Sequence, residues 1–578
     1  MTNAYNLTSL DLPKLNGRSM RLFASALDNA ALRNVLLGPL MRQGGIATLR
    51  DRVFTDPPTF YPYWHEEALA QRHQPAVDWP RLEKQQLEQA NREPFANIAD
   101  YAHAFRVGTV SPESVAEAIL AAIADADDDP RPLHAFRATN REDLMAQARA
   151  SAQRLSDGAP LSLLDGVPVA VKDEVDQLPY GTTVGTSFLG RTPATMDGTI
   201  VARLRAAGAM LIGKTNMYEI GINPEGFNSH YGIVRNPYRL SCHAGGSSNG
   251  SAVAVAAGFC PVAIGADGGG SIRIPAALNG VVGLKATFGR ISEDGAAPLT
   301  WTMGHLGPIG ATVSDVALVY ACIAGPDERD SNTLHQPPVS LQDWNKTDLR
   351  GLTLGIYQPW FEHAAPSIVA SCQEAVTRLV EMGATVREIE IPALDEMRVS
   401  QVITILTEMA SNMEAYNEHW AKLSPPTRVN LTLGKAMTSF DYLQAQRVRT
   451  QAIATFRRLF REVDVILSPA TAVTAPTVPD NCENDGWSDL STVTELMRFA
   501  MPGNLTGLPA IAFPIDYDKN GLPISMQAMA RPWQEHILLQ VAHAAEHVTL
   551  RRRPPVFYDI LGSLTQPESQ PFTPMQPA

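Results

Sequence analysis

Residues 245–290 constrain the fold more than any other stretch of the chain. They open with Gly245-Gly246-Ser247-Ser248-Asn249-Gly250-Ser251-Ala252. After an apolar run they continue as Gly265-Ala266-Asp267-Gly268-Gly269-Gly270-Ser271-Ile272-Arg273-Ile274-Pro275. Glycine-rich turns on both sides of Val262-Ala263-Ile264 predict a short buried strand between tight loops, with a helix at 272–278 behind Ser271. Three consecutive glycines ahead of a serine leave backbone N–H groups uncovered, a nest that suits an oxyanion or a phosphate. A tight turn with capping serines explains one such cluster well, but not two with exposed hydroxyls. Residues 244–266 lack charge for long enough to cross a bilayer. Their glycines, serines and Pro261 instead predict a buried strand–loop–helix region, and no spanning helix is expected.

Around this stretch the chain alternates between helix and strand patterns. Val167-Pro168-Val169-Ala170-Val171 reads as a strand ending at Lys172. Residues 200–207 read as a helix closed by Gly208, and 209–212 as another strand. Leu354-Gly355-Ile356 and Val463-Asp464-Val465-Ile466-Leu467 continue the series, which predicts an α/β domain with a largely internal sheet. Ser111-Pro112-Glu113 starts a helix, with an N-cap serine, a first-turn proline and a carboxylate at the positive end of the dipole. Met20, Phe23, Leu27, Leu32, Val35 and Leu36 recur at helical spacing and Gly38-Pro39 stops that pattern. The segment 20–37 either docks on the main body or meets lipid with basic residues at the rim. Residues 54–97 form an irregular strap with a charged run near 83–89. From Pro554 the proline-rich end wraps the surface or frays. The expected organisation is an extension and strap over 1–97, a catalytic domain over 98–553 and a tail over 554–578.

Composition excludes several classes. With 45 % hydrophobic and 19 % charged residues in 578, the chain is neither disordered nor collagen-like. A net charge of −13 argues against a surface that coats nucleic acid. Residues 1–53 hold seven basic and three acidic side chains, so a +4 appendage sits on a body of −17. The five cysteines, Cys242, Cys260, Cys322, Cys372 and Cys482, are scattered and form no C-x-x-C pair. No disulfide framework, metal site or cofactor is expected, and a reducing cytoplasm fits. Residues 1–22 are polar where a secretory signal needs its apolar run.

An acyl-transfer serine needs a base. His230 and His243 are near in sequence but sit in no triad motif. A lysine can serve if desolvation and hydroxyl neighbours hold it neutral, and the apolar strand 167–171 delivers Lys172 at its end. The carboxylates Asp173, Glu174 and Asp176 would oppose that state if they faced it. Two rival patterns are present. Gly208-Ala209-Met210-Leu211-Ile212-Gly213-Lys214-Thr215 satisfies a phosphate-binding loop, but a helix precedes Gly208 where the mechanism demands a strand. Gly246-Ser247-Ser248-Asn249-Gly250 satisfies a nucleophile elbow around Ser248, which requires a downstream Asp and His.

Several segments together resemble the amidase signature family. They are Asp165-Gly166-Val167-Pro168-Val169-Ala170-Val171-Lys172-Asp173, Gly213-Lys214-Thr215-Asn216-Met217 and Gly246-Ser247-Ser248-Asn249-Gly250-Ser251-Ala252. Asp267-Gly268-Gly269-Gly270-Ser271-Ile272-Arg273-Ile274-Pro275, Gly283-Leu284-Lys285 and Asn504-Leu505-Thr506-Gly507-Leu508-Pro509-Ala510 complete the set. The likeness covers roughly residues 98–550 in the family's order and spacing. It implies an α/β amidase signature fold: one large mixed sheet covered by helices on both faces, here with a helical N-terminal extension. It also implies Ser271 as nucleophile, Ser247 as a bridging serine on a cis peptide bond and Lys172 as base. Gly268, Gly269, Gly270 and Ser271 would supply oxyanion N–H groups, with Ser248 in support. Asp267 and Arg273 are expected to form a buried pair that fixes the loop. Asn249 departs from the glycine usual in the family.

Within the family, residues 267–290, Trp301-Thr302-Met303 and the long extension most resemble plant-type fatty acid amide hydrolases. That resemblance implies hydrolysis of N-acyl amines or N-acylethanolamines through an acyl-enzyme. The alternatives are a broad amidase of small or aryl amides and a glutaminase-type amidotransferase subunit. Candidate channel residues are Met20, Phe23 and Leu27, with Val402, Ile403, Leu406, Met409 and Met413 at helical spacing. The partners expected are a small-molecule amide with a long acyl chain, a membrane met peripherally through residues 20–37, and a second copy in a homodimer. No nucleic acid is expected. The expected location is the cytoplasm or its membrane face.

Overall fold

A computed structural model describes residues 5–7, 9–10, 14–88, 90 and 94–565. The last part of the expected tail, 566–578, lies outside these residues, as do parts of the extension and residue 89 of the charged run. Eleven strands form one sheet. In chain order they are β1 (Phe136–Thr139), β2 (Pro168–Lys172), β3 (Met210–Thr215), β4 (Val262–Ala266), β5 (Val282–Lys285), β6 (Leu306–Gly310), β7 (Thr353–Ile356), β8 (Thr385–Glu388), β9 (Val465–Pro469), β10 (Ala510–Tyr517) and β11 (Pro523–Ala530). Their order in space is β8-β7-β9-β11-β10-β5-β6-β4-β2-β3-β1. β3, β2 and β4 run parallel, β8, β7 and β9 run parallel, and the strands between are joined by antiparallel pairs.

Both faces of this sheet are covered, as the alternation of side chains requires. Val465 and Leu467 of β9 join the main core, whereas Ile466 between them joins a second one. In β11, Met526, Ala528 and Ala530 face the main core and Met529 the second. The second core is built by helices Leu394–Met413 and Ser439–Leu459, with Ile46 and Leu49 of the extension and Trp64 of the strap. β2, β3 and β4 are buried throughout, so their runs of Val, Ile, Leu and Ala need no polar alternation.

The extension differs from its expected form. The apolar pattern over 20–37 belongs to two helices, Gly17–Asp28 and Ala30–Gln43, because Asn29 caps the second by accepting from Ala31 N at 3.0 Å and Leu32 N at 3.2 Å. Gly38-Pro39 does not end it; Pro39 lies inside the second helix, and the carbonyl it cannot serve belongs to the exposed Val35. Met20, Ala24 and Leu27 are buried against Val429, so the first helix docks on helix Pro425–Ala436. Asp28 locks this contact, accepting from Arg428 at 2.5 Å and Trp420 Nε1 at 2.8 Å. The start at Ser111 forms as expected, its hydroxyl capping Ser114 N. Beyond Pro554 the described chain packs on the body, where Tyr558 donates to Asp125 and Phe557 meets Phe95 edge to face. Among the described residues no helix is long and apolar enough to cross a membrane.

Candidate active site

The site forms at the carboxyl ends of two neighbouring parallel strands, the usual place for function in an open α/β sheet. β2 ends on Lys172, and β4 ends on Ala266 and runs into the Asp267–Ser271 loop; Val171 pairs with Ile264 in register. Lys172 is buried, and its Nζ donates to Ser247 Oγ at 2.8 Å and Ala266 O at 3.3 Å. Glu174 Oε2 lies 2.8 Å from the same nitrogen, so one of the three flanking carboxylates does face it. Asp173 turns away to Arg137, Thr183 and Lys214, and Asp176 accepts from Thr182. The Gly246–Ser247 peptide bond is cis. Ser247, Lys172 and Ser271 line one cavity together.

Ser248 stitches this loop to β4: its hydroxyl donates to Ala266 O at 3.0 Å and accepts from Ala266 N at 3.1 Å, and its N–H donates to Ser271 O. Both hydroxyl roles are occupied, which leaves the nucleophile-elbow pattern without a nucleophile. His243 accepts from Gly245 N, and burial brings it down to about 4; His230 pairs with Glu219 instead. The phosphate-loop pattern also dissolves. Its last six residues are β3 itself, and Lys214 Nζ is held by Val175 O and Asp173, with burial drawing the amine down to about 8 against the pull of that carboxylate.

Asp267 and Arg273 form the expected buried pair. Arg273 Nε donates to Asp267 Oδ2 at 3.0 Å and Nη2 to Oδ1 at 3.2 Å. Its remaining capacity goes to Ala500 O, Gln527 Oε1 and Asn504 Oδ1. Burial pushes the Asp267 carboxyl up, but Arg273, then Lys285 and the Gly270 N–H, together hold it well below the ordinary carboxylate range. Gly270 N donates to Asp267 Oδ1 at 2.6 Å, so that N–H is committed to the loop and is not free for an oxyanion as expected. Gly270 must be glycine: its φ is +114°, and a Cβ would lie 2.6 Å from Ile274 Cδ1 and 2.7 Å from Ala500 Cβ.

Ser271 stands at the meeting of two cavities. One, of about 130 Å³, is lined by Lys172, Glu174, Ser247, Glu293, Trp301 and His305 among others. Burial, and then the carboxylates of Asp330, Glu174 and Glu408, push Glu293 well above its usual range toward a neutral acid. Burial holds His305 well below its own, with Lys285 adding to the effect. The other cavity, of about 150 Å³, runs from Gly269 and Ser271 past Val402, Ile405, Leu406 and Met497 to Leu40, Gly44 and Ile46 of the extension. Its lining is predominantly apolar.

The channel residues expected from sequence are only partly on these walls. Leu406 lines the apolar cavity and Met409 the polar one, but Ile403 points into the second core and Met413 packs with Leu431. Val402, also expected, lines the apolar cavity beside Leu406, and the helix adds Gln401 and Ile405, which the expected stripe did not include. Met20, Phe23 and Leu27 do not line it, because their face is spent on docking to Val429; the following helix and Ile46 reach it instead. The loop Thr300–Thr302 is held by Glu408, which accepts from Thr300 Oγ1 at 2.7 Å, Thr302 Oγ1 at 2.5 Å, Thr302 N at 3.2 Å and Tyr442 OH at 2.9 Å. His543 and His547, a pair at metal-binding spacing, meet edge to face with ring centroids 4.6 Å apart. Among the described residues no three His, Cys, Asp or Glu are placed to hold a metal.

The mixed sheet thus carries a buried lysine, paired serines and a Gly-Gly-Gly-Ser loop at its strand ends. The Amidase family profile matches residues 115–539, and the chain belongs to the amidase signature family. It is 37 % identical to a fatty acid amide hydrolase of Medicago truncatula over 97 % of each chain. It is 34 % identical to a glutamyl-tRNA(Gln) amidotransferase chain of Symbiobacterium thermophilum, over 77 % of this chain and 95 % of that one. The solved peptide amidase of Stenotrophomonas maltophilia superposes with a TM-score of 0.67 at 28 % identity, covering 81 % of this chain and 99 % of its own.

Proposed function

We propose that this chain hydrolyses amides of long-chain acyl groups, N-acyl amines of the N-acylethanolamine kind, through an acyl-enzyme on Ser271. The position of Ser271 carries this reading: one side opens on an apolar cavity that can take an acyl chain, the other on the polar cavity with Ser247 and Lys172. Ser271 Oγ attacks the carbonyl carbon while its proton passes to Ser247 Oγ, and that of Ser247 to Lys172 Nζ. N–H groups of Gly268, Gly269 and Ser271 steady the oxyanion. The same relay returns a proton to the leaving amine, and water then releases the acid. Before accepting a proton Lys172 must be neutral, so the Glu174 carboxylate at 2.8 Å is a contact the reacting state has to loosen or neutralise.

The plant relatives align over nearly the whole chain, extension included, which favours the lipid amide over the amidotransferase reading. Exposed Leu22, Leu32 and Val35 on the extension support peripheral membrane contact there, beside Arg21 and Arg33. The five free cysteines suit a reducing cytoplasm. A series of ethanolamides from acetyl to octadecanoyl tests the substrate class. The specificity constant is expected to rise with chain length, and a flat series would contradict the assignment.

A further inference from the structure

The wall of the apolar cavity carries a polar group with nothing to bond. Gln401, wholly buried on helix Leu394–Met413, donates through Nε2 to Gly268 O at 3.2 Å, while its Oε1 is buried with no donor among the described residues. That donor contact assigns the amide orientation, since the flipped group would set two acceptors against each other. A buried acceptor left unpaired is costly, and a ligand that supplies the missing donor recovers the difference. Nε2 lies only 2.7 Å from where a Cβ of Gly269 would stand, so Gln401 sits directly against the loop that receives the scissile carbonyl.

The side of the substrate it meets follows from the two cavities. Lys172 and Ser247 line only the polar cavity, so the leaving amine departs there; Gln401 lines only the apolar one. Its partner therefore belongs to the acyl group, within the first few atoms beyond the carbonyl. We infer that Gln401 is a specificity-determining residue that selects acyl groups bearing a hydrogen-bond donor, a hydroxyl at C2 or C3, over plain alkanoyl chains. The inference rests on Ser271 as nucleophile and on the apolar cavity as the acyl side.

The test compares four ethanolamides of one chain length: dodecanoyl, 2-hydroxydodecanoyl, 3-hydroxydodecanoyl and 3-oxododecanoyl. At least one hydroxy substrate is expected to exceed the plain one in kcat/KM by about 2- to 12-fold, the worth of one hydrogen bond. The 3-oxo substrate, an acceptor only, gains nothing. In Gln401→Met the advantage falls to about one. Because the readout is a ratio of two substrates on one protein, a general loss from a loosened Gly268 loop divides out. If the wild-type enzyme shows no hydroxyl advantage, or Gln401→Met keeps it, the inference is overturned, and the first outcome needs no variant to fold. Mapping the serine labelled by a fluorophosphonate separates the two levels: label at Ser271 with no hydroxyl advantage sinks only the role of Gln401, whereas label elsewhere sinks the reading beneath it.

Discussion

Replacing Arg273 with methionine should expose how the Asp267–Ser271 loop is held. The guanidinium sits 3.0 and 3.2 Å from the two oxygens of Asp267, and both residues are buried. At an effective dielectric of about 20, two unit charges at that separation attract by roughly 5 kcal/mol. Removing one partner of such a pair costs about 3–5 kcal/mol, because the other charge stays buried and uncompensated. We expect Arg273→Met to lose that much stability at neutral pH, and Asp267→Asn combined with it to lose distinctly less. The pH dependence has a definite sign. In the wild type the folded Asp267 value is depressed, so its contribution is complete above the unfolded value of about 3.9 and is lost only as pH falls through the still lower folded value. In Arg273→Met burial, the largest influence, is opposed by Lys285 and the Gly270 N–H without the guanidinium, so the folded value rises, the carboxyl takes up a proton more readily on acidification and part of the penalty disappears. Unfolding midpoints measured from pH 7 down to pH 5 should therefore converge. A gap that stays constant, or a variant that melts with the wild type at pH 7, would refute the argument. Activity should fall with stability, since Asp267 accepts from Gly270 N and Ile272 N on either side of Ser271 and so holds the segment that carries it.

Two other substitutions probe the cavity walls. Glu408→Gln deprives four donors of a buried carboxylate acceptor, at about 1.5–3 kcal/mol for a charged hydrogen bond. It should raise KM more for substrates with a large amine than for primary amides, because Thr300 and Trp301 line the polar cavity; equal changes across both would count against it. Leu406→Trp fills the apolar cavity, and the ratio of kcat/KM for decanoyl to acetyl ethanolamide should fall by about tenfold or more. Parallel loss on both substrates would show that Leu406 does not touch the acyl chain.

The loops of the candidate site are more legible in the chain than the walls around them, and the reason is physical. Loop conformation is local: glycines, serines and the Asp267/Arg273 bracket lie within a few residues of one another, so their pattern reports their geometry. The cap at Ser111 is local in the same way. The cavity walls are assembled from distant segments. Gln401, Ile405 and Leu40 come to one cavity only through the packing of the second core, and no spacing rule tells which face of a mostly buried helix turns inward. β8 was invisible for the opposite reason: all four of its residues are exposed, so it carries no apolar alternation. The helix break at Asn29 leaves no mark in the pattern because the apolar spacing runs smoothly across it, while the cap that restarts the helix is one side chain.

The central claim is that Ser271 is the nucleophile and that Lys172, acting through Ser247, activates it. Its most direct test is covalent. The full chain is treated with an alkyl fluorophosphonate, the modified peptide is mapped, and the labelling rate is followed in Lys172→Ala and Ser247→Ala. The account predicts a single phosphonylated residue, Ser271, and labelling slowed by about two orders of magnitude or more in both variants. Label on Ser248 or Ser247, or an unchanged rate without Lys172, would contradict it.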